Sequence, residues 1–157
     1  MEELTAEQAL RIAARDGDAV TVVRLLDAGT PVDAADMIGY TPLMLAARKG
    51  QTAMLRLLIE RGADWRARNR PKITALDYAV QSRNIEAVRF LLELEGDITG
   101  IRGRELLEGA SCIEIIQLLR DIGAIDEVAH LDDDEVRTIA NSLKNDELVP
   151  LQGRTFA

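Results

Sequence analysis

The sequence predicts an all-α fold: a solenoid of about four short helix-turn-helix repeats, ending in a C-terminal capping helix. Self-similarity is the first ground. Gln8-Ala-Leu-Arg-Ile-Ala-Ala-Arg-Asp-Gly17 lies over Thr41-Pro-Leu-Met-Leu-Ala-Ala-Arg-Lys-Gly50 at an offset of 33 residues, and Thr74-Ala-Leu-Asp-Tyr-Ala-Val80 begins 33 further on. A period of this length marks a solenoid, in which each unit hides its apolar face against the next. Composition is the second ground. Hydrophobic residues make up 47% of the 157, but aromatics only 3%. The core must therefore be Leu, Ile, Val and Ala, and Ala and Leu are strong helix formers. Punctuation is the third: Thr, Pro and Gly recur where short helices would start and reverse.

The elements follow in order. Thr5 and Gln8 have capping-box spacing, which predicts a helix over 6–15, with Gly17 at its stop. A second helix is expected over 19–27, ending before Gly29. Thr41 is a good N-cap and Pro42 suits the first helical position, so the next pair is expected over 42–49 and 52–61, with Gly50 and Gly62 as breaks. Thr74 repeats the cap for helices over 75–82 and 85–94. The second halves also match: Leu25-Leu26-Asp-Ala-Gly29, Leu58-Ile59-Glu-Arg-Gly62 and Leu91-Leu92-Glu-Leu-Glu95. A shortened fourth copy, beginning at Cys112, predicts helices over 104–109 and 112–121. Each helix is too short to persist alone. Ala13-Ala14 and Ala46-Ala47 are small enough to let paired helices approach closely.

Both ends of a solenoid must shield an apolar face. Glu2, Glu3, Glu7 and Arg11 make the first helix more polar. Val136, Ile139, Ala140 and Leu143 recur at helical spacing, so 132–144 is expected to be an amphipathic cap, with Asp132 and Glu135 at capping-box spacing. Residues 148–157 contain Pro150 and Gly153, show no period, and are expected to be a tail or a docking peptide. The expected organisation is repeats over 1–124 (5–37, 38–70, 71–100 and 101–124), then a capping helix and tail over 125–157.

The sequence resembles the ankyrin repeat family. The signature Thr-Pro-Leu-His-x-Ala stands here as Thr41-Pro42-Leu43-Met44-Leu45-Ala46, and the Gly-Ala-Asp turn as Gly62-Ala63-Asp64. The resemblance covers roughly residues 5–124. Three departures stand out. The signature His is replaced by Arg11, Met44 and Asp77, Lys72 occupies a hairpin-tip position normally held by Gly, and the fourth repeat is short. The resemblance implies a protein-binding module that works through hairpin tips and the exposed side of each repeat's first helix. By position, the tips are Ala35, Met37, Ile38 and Tyr40, then Arg68, Arg70, Pro71 and Ile73. The helix positions are Arg15 and Asp16, Arg48 and Lys49, then Gln81 and Ser82.

Within that surface, Met37, Ile38 and Tyr40 form an apolar cluster in a loop that should face water: either a contact patch or packing between hairpins. Arg48, Lys49, Arg66, Arg68 and Arg70 form either a basic surface or scattered solvated charge. Tyr, Met and Arg together have the composition of an interface hot spot, and the charges would speed encounter with an acidic partner. Trp65 is expected to pack in its turn.

Chemistry points away from catalysis. His130 is the single His and Cys112 the single Cys, so neither a nucleophile–base pair nor a zinc site is expected. Gly96, Gly100 and Gly103 follow no strand, and Asp132-Asp133-Asp134 lacks a calcium loop's spaced ligands. No cofactor, metal or small-molecule substrate is expected. The lone Cys suits the cytoplasm, and residues 1–18 show no basic start before an apolar stretch, so no signal peptide is expected. No run approaches the length of a membrane span. The net charge of −8 opposes nucleic-acid binding. That charge is uneven: residues 61–72 carry five basic side chains against Asp64, a net of +4, while 121–147 carry nine acids against Arg137 and Lys144, a net of −7. The expected function is therefore a non-catalytic adaptor or inhibitor that binds another protein. The alternative is an acidic charge mimic that uses its C-terminal segment to occupy a basic, nucleic-acid-binding protein.

Overall fold

A computed structural model describes residues 4–95, 113–121, 134 and 136–138. All regular structure among them is helical: α1 (Ala6–Asp16), α2 (Ala19–Asp27), α3 (Pro42–Arg48), α4 (Thr52–Glu60), α5 (Ala75–Gln81), α6 (Ile85–Glu95) and α7 (Ile113–Asp121). Each expected helix within the described residues is present, with ends displaced by no more than a residue, as fraying termini allow. The chain divides into two compact units, Met1–Gly96 and Asp97–Ala157.

The caps act as their residue types dictate. The Thr5 hydroxyl accepts from the Gln8 N–H at 3.2 Å while the Gln8 amide oxygen accepts from the Thr5 N–H at 2.9 Å. Thr41 and Thr74 cap α3 and α5 through the N–H groups of Met44 and Asp77. Asp18 caps α2 through Thr21 N–H at 3.1 Å. Gly17 and Gly50 close the inner helices at φ of 79° and 69°. A Cβ there would stand 2.8 Å from Gln51 Oε1 and from Asn84 Nδ2 respectively, so those side-chain ends would have to shift, and the positive φ favours glycine in its own right.

Within the first unit, α1, α3 and α5 pack side by side as an inner row, each also packing on its own partner, α2, α4 or α6. The paired alanines sit at these contacts: Ala13, Ala14, Ala46 and Ala47 are all buried. Burial follows position in the stack. Helix α3, with a neighbour on either side, buries Pro42, Leu43, Met44, Ala46 and Ala47. Helix α2, at the edge, buries only Val22 and leaves Val20 80% exposed. The positions of the signature His have found other uses. Arg11 Nη1 donates to the Ala34 carbonyl at 3.0 Å, Met44 is buried, and Asp77 Oδ2 accepts from Thr74 N at 2.7 Å.

In the second unit, α7 buries Ile115, Ile116, Leu118 and Leu119. Residues 134 and 136–138 are helical and Val136 is buried. The expected helix over 104–109, Glu2, Glu3, Gly96, Gly100, Gly103, Cys112, His130, the Asp132–Glu135 cap, Ile139, Ala140, Leu143 and the tail lie outside the described residues. So does most of the acidic segment.

Candidate functional site

Two loop tips and three inner-helix ends carry the candidate surface. At the first tip, the Asp36 carboxylate accepts from the N–H groups of Ile38 and Tyr40, each at 2.9 Å. This Asx-type turn holds the intervening side chains outward. Met37 is 86% exposed and Ile38 49% exposed, and Ala35 is exposed beside them. Tyr40 is different. It is half-buried, with its ring centroid 5.7 Å from that of Tyr78, so its area serves the fold as well as the surface.

The second tip is built on Asn69. Its side-chain oxygen accepts from Ile73 N at 2.8 Å, and its amide donates to the Tyr78 hydroxyl at 3.0 Å. Burial is the main force pushing the Tyr78 phenol up to about 12, so it stays protonated. Arg70 N–H donates to the Ile38 carbonyl at 2.9 Å, joining the tips edge to edge. Arg66, Arg68, Arg70 and Pro71 are exposed, and Ile73 is half-buried. The Arg66 guanidinium lies 4.4 Å from the ring centre of half-buried Trp65, a cation–π contact that draws it toward the turn.

The inner-helix ends place Arg15 and Asp16, Arg48 and Lys49, and Gln81 at the surface, with Ser82 half-buried. Arg15 and Asp16 pair at 2.7 Å, and that hydrogen bond is the main cause holding the Asp16 carboxyl below its usual range. Two open depressions lie between successive ends. One, of about 380 Å³, is lined by Arg15, Asp16, Leu45, Arg48 and Lys49. The other, of about 590 Å³, is lined by Arg48, Lys49, Gly50, Ser82, Arg83, Asn84 and Ile85. Arg48 and Lys49 thus border both. The structure brings Met37, Ile38 and Arg70 together at the tips, and Arg48 and Lys49 together at the helix ends, with Gln81 on the exposed side of α5.

Arg83 was absent from the expected surface. Its signal is in the register: Gly17 and Gly50 recur 33 apart, and the next step lands on Arg83, which adopts φ of 57°. No group of three or more His, Cys, Asp or Glu side chains able to hold a metal occurs among the described residues. No helix among them is long and apolar enough to cross a membrane.

The family model for ankyrin repeats, three copies, matches residues 6–101. An ankyrin repeat-containing protein of Schizosaccharomyces pombe is 33% identical over 103 residues, 66% of this chain and 48% of its own length. The E3 ubiquitin-protein ligase XBAT33 of Arabidopsis thaliana is 33% identical over 147 residues, 87% of this chain and 28% of its own. The palmitoyltransferase AKR1 of Saccharomyces cerevisiae is 45% identical over 53 residues, 34% of this chain and 7% of its own. The chain therefore spans less than half the length of each of these relatives. Ankyrin repeats are generally non-catalytic modules that bind other proteins. With the period, the caps, the inner row of helices and the matched residues in agreement, the chain belongs to the ankyrin repeat family.

Proposed function

We propose that this chain is an adaptor or inhibitor that grips a partner protein through its hairpin tips and inner-helix ends. Met37, Ile38, Tyr40, Arg48, Lys49, Arg66, Arg68, Arg70 and Gln81 carry the contact. The observation behind this reading is the exposure of Met37 and Ile38 on a tip held by hydrogen bonds through Asp36, Ile38, Gly39 and Tyr40. An 86% exposed Met on a turn fixed by two carboxylate hydrogen bonds adds nothing to the core. Large apolar side chains held rigidly in water are characteristic of contact surfaces. Tyr40 contributes the exposed part of its half-buried ring, and the neighbouring cations favour encounter with an acidic surface.

The partner is a protein rather than a nucleic acid, because a net charge of −8 repels a phosphate backbone. The single Cys suits the reducing cytoplasm as the place of action. Ligase and transferase activities belong to relatives of which this chain spans 28% and 7%, and we read the chain itself as non-catalytic. The test is affinity capture from a native lysate by wild type, Met37→Glu and Arg68→Glu. Both positions are exposed, so helical content should be unchanged while the captured partner is depleted several-fold. Capture at the wild-type level by both variants refutes the assignment of the surface.

A further inference from the structure

The two hairpin tips are built on one turn. Asp36 N–H donates to the Tyr40 carbonyl at 3.2 Å and Gly39 N–H to the Asp36 carbonyl at 3.0 Å. One repeat on, Asn69 N–H donates to the Ile73 carbonyl at 3.2 Å and Lys72 N–H to the Asn69 carbonyl at 2.8 Å. Each is a three-residue hairpin loop whose last residue is left-handed, Gly39 at φ of 93° and Lys72 at 66°. Glycine is the unstrained choice there, because a Cβ crowds the following carbonyl oxygen. The second tip carries lysine instead. Lys72 also stands two residues before Thr74, the N-cap of α5, where the helix dipole disfavours a cation. Its side chain is exposed, so it gains nothing from the core. A residue kept against both local preferences points to a use for the side chain itself.

The same register sets what the tips present. The corner positions are Met37 and Ile38 in the first loop and Arg70 and Pro71 in the second, all exposed. Arg70 N–H donates to the Ile38 carbonyl at 2.9 Å, so the apolar corner and the basic corner adjoin. Among the described residues, none forms a side-chain hydrogen bond or ion pair with Arg68, Arg70 or Lys72. The one carboxylate within the two loops, Asp36, accepts from the Ile38 and Tyr40 N–H groups. No large exposed apolar side chain among the described residues is aromatic, so the surface has no platform for stacking bases. We propose that the two tips together recognise an extended segment of a partner protein that carries a large aliphatic side chain near a pair of carboxylates. The aliphatic group covers Met37 and Ile38, and the carboxylates meet Arg70 and Lys72, with Arg68 beside them. Repeats packed through their helices stand about 10 Å apart, and an extended chain advances about 3.3 Å per residue, so about three residues separate the aliphatic side chain from the carboxylates.

This inference rests on the proposed protein-binding role and names the chemistry of the partner. The probe is a labelled peptide, Ser-Leu-Gly-Ser-Glu-Glu-Ser, titrated with the full chain at low salt by anisotropy, beside a twin with Gln in place of both Glu. Lys72→Gly restores the glycine of the register, so it should melt no lower than wild type. It should nevertheless bind the Glu peptide about two- to fivefold more weakly, the range of an exposed ion pair. Arg70→Gln should weaken binding by a similar factor, since the backbone bond to Ile38 stays in place. Lys72→Arg, which keeps the charge, should bind as wild type does. The Gln peptide should bind wild type more weakly and should not distinguish it from Lys72→Gly. Equal affinity of wild type and the Lys72→Gly, Arg70→Gln double variant for the Glu peptide overturns the inference. So does no measurable binding of that peptide, equal binding of the Gln twin, or tighter binding of a short RNA. Lysate capture separates the two claims. Partner retained by the double variant but lost by Met37→Glu leaves the protein-binding reading standing and removes the acidic recognition.

Discussion

Asn84 ties the second repeat to the third, and removing its side chain measures what that tie contributes. Its Oδ1 accepts from Ala87 N at 2.9 Å, capping α6, and its Nδ2 donates to the Gly50 carbonyl at 2.7 Å. The Thr52 hydroxyl reaches the same Oδ1 at a longer 3.4 Å. Loss of an N-cap costs about 1 kcal/mol, and loss of a backbone-directed hydrogen bond in a half-buried place about 1 more. Asn84→Ala should therefore destabilise the first unit by about 2 kcal/mol. In a unit of this size that lowers the melting temperature by roughly 8 to 16 °C. Asn84→Asp divides the effect. It keeps the acceptor for Ala87 but turns an oxygen toward the Gly50 carbonyl, so it should lose about 1 kcal/mol while α6 stays capped. Urea unfolding followed by Trp65 fluorescence and far-UV circular dichroism reads both variants. Asn84→Ala within about 0.5 kcal/mol of wild type refutes the argument that this tie contributes to the stability of the stack.

Gly39→Ala places a Cβ 3.0 Å from the Asn69 Cα at φ of 93°, and should cost about 1 to 3 kcal/mol by the same unfolding measurement. Tyr78→Phe leaves the buried Asn69 amide without the acceptor it meets at 3.0 Å and should cost about 1 to 3 kcal/mol, detectable as a lower urea midpoint. Asp33 behaves in the opposite sense. Burial foremost raises its pKa, so ionisation penalises the folded state as pH rises above the unfolded value of about 3.9. Asp33→Asn should be more stable than wild type at neutral pH while its oxygen still accepts from Asp64 N, and the advantage should vanish in melts taken below that pH. Leu58→Ala, at a fully buried site, should cost about 2 to 5 kcal/mol.

The repeat period, the Thr caps and the glycine stops were legible in the sequence because each is a local device. Thr41, Pro42 and Gly50 specify where α3 begins and ends without reference to anything distant. The candidate surface was legible by register alone, which places Met37, Arg68 and Arg70 on tips but says nothing of where their side chains turn. What a side chain meets across a repeat boundary was not legible. Tyr40 reads as an exposed aromatic until Tyr78, 38 residues later, is brought against it. Arg11 reads as an orphan substitution until the Ala34 carbonyl is seen within its reach. Arg83 reads as an ordinary surface charge, because its left-handed backbone is imposed by the turn between α5 and α6 and not by its own preference.

Site-specific photo-crosslinking in a native lysate tests the proposed surface most directly, with a benzophenone side chain placed in turn at Ile38, Lys49 and Arg70, and at Arg24, Arg56 and Arg89 of the outer helices. All six positions are exposed. The account predicts one common adduct from Ile38, Lys49 and Arg70 and none from the other three. Adducts from Arg24, Arg56 or Arg89, with none from Ile38, Lys49 or Arg70, would contradict it.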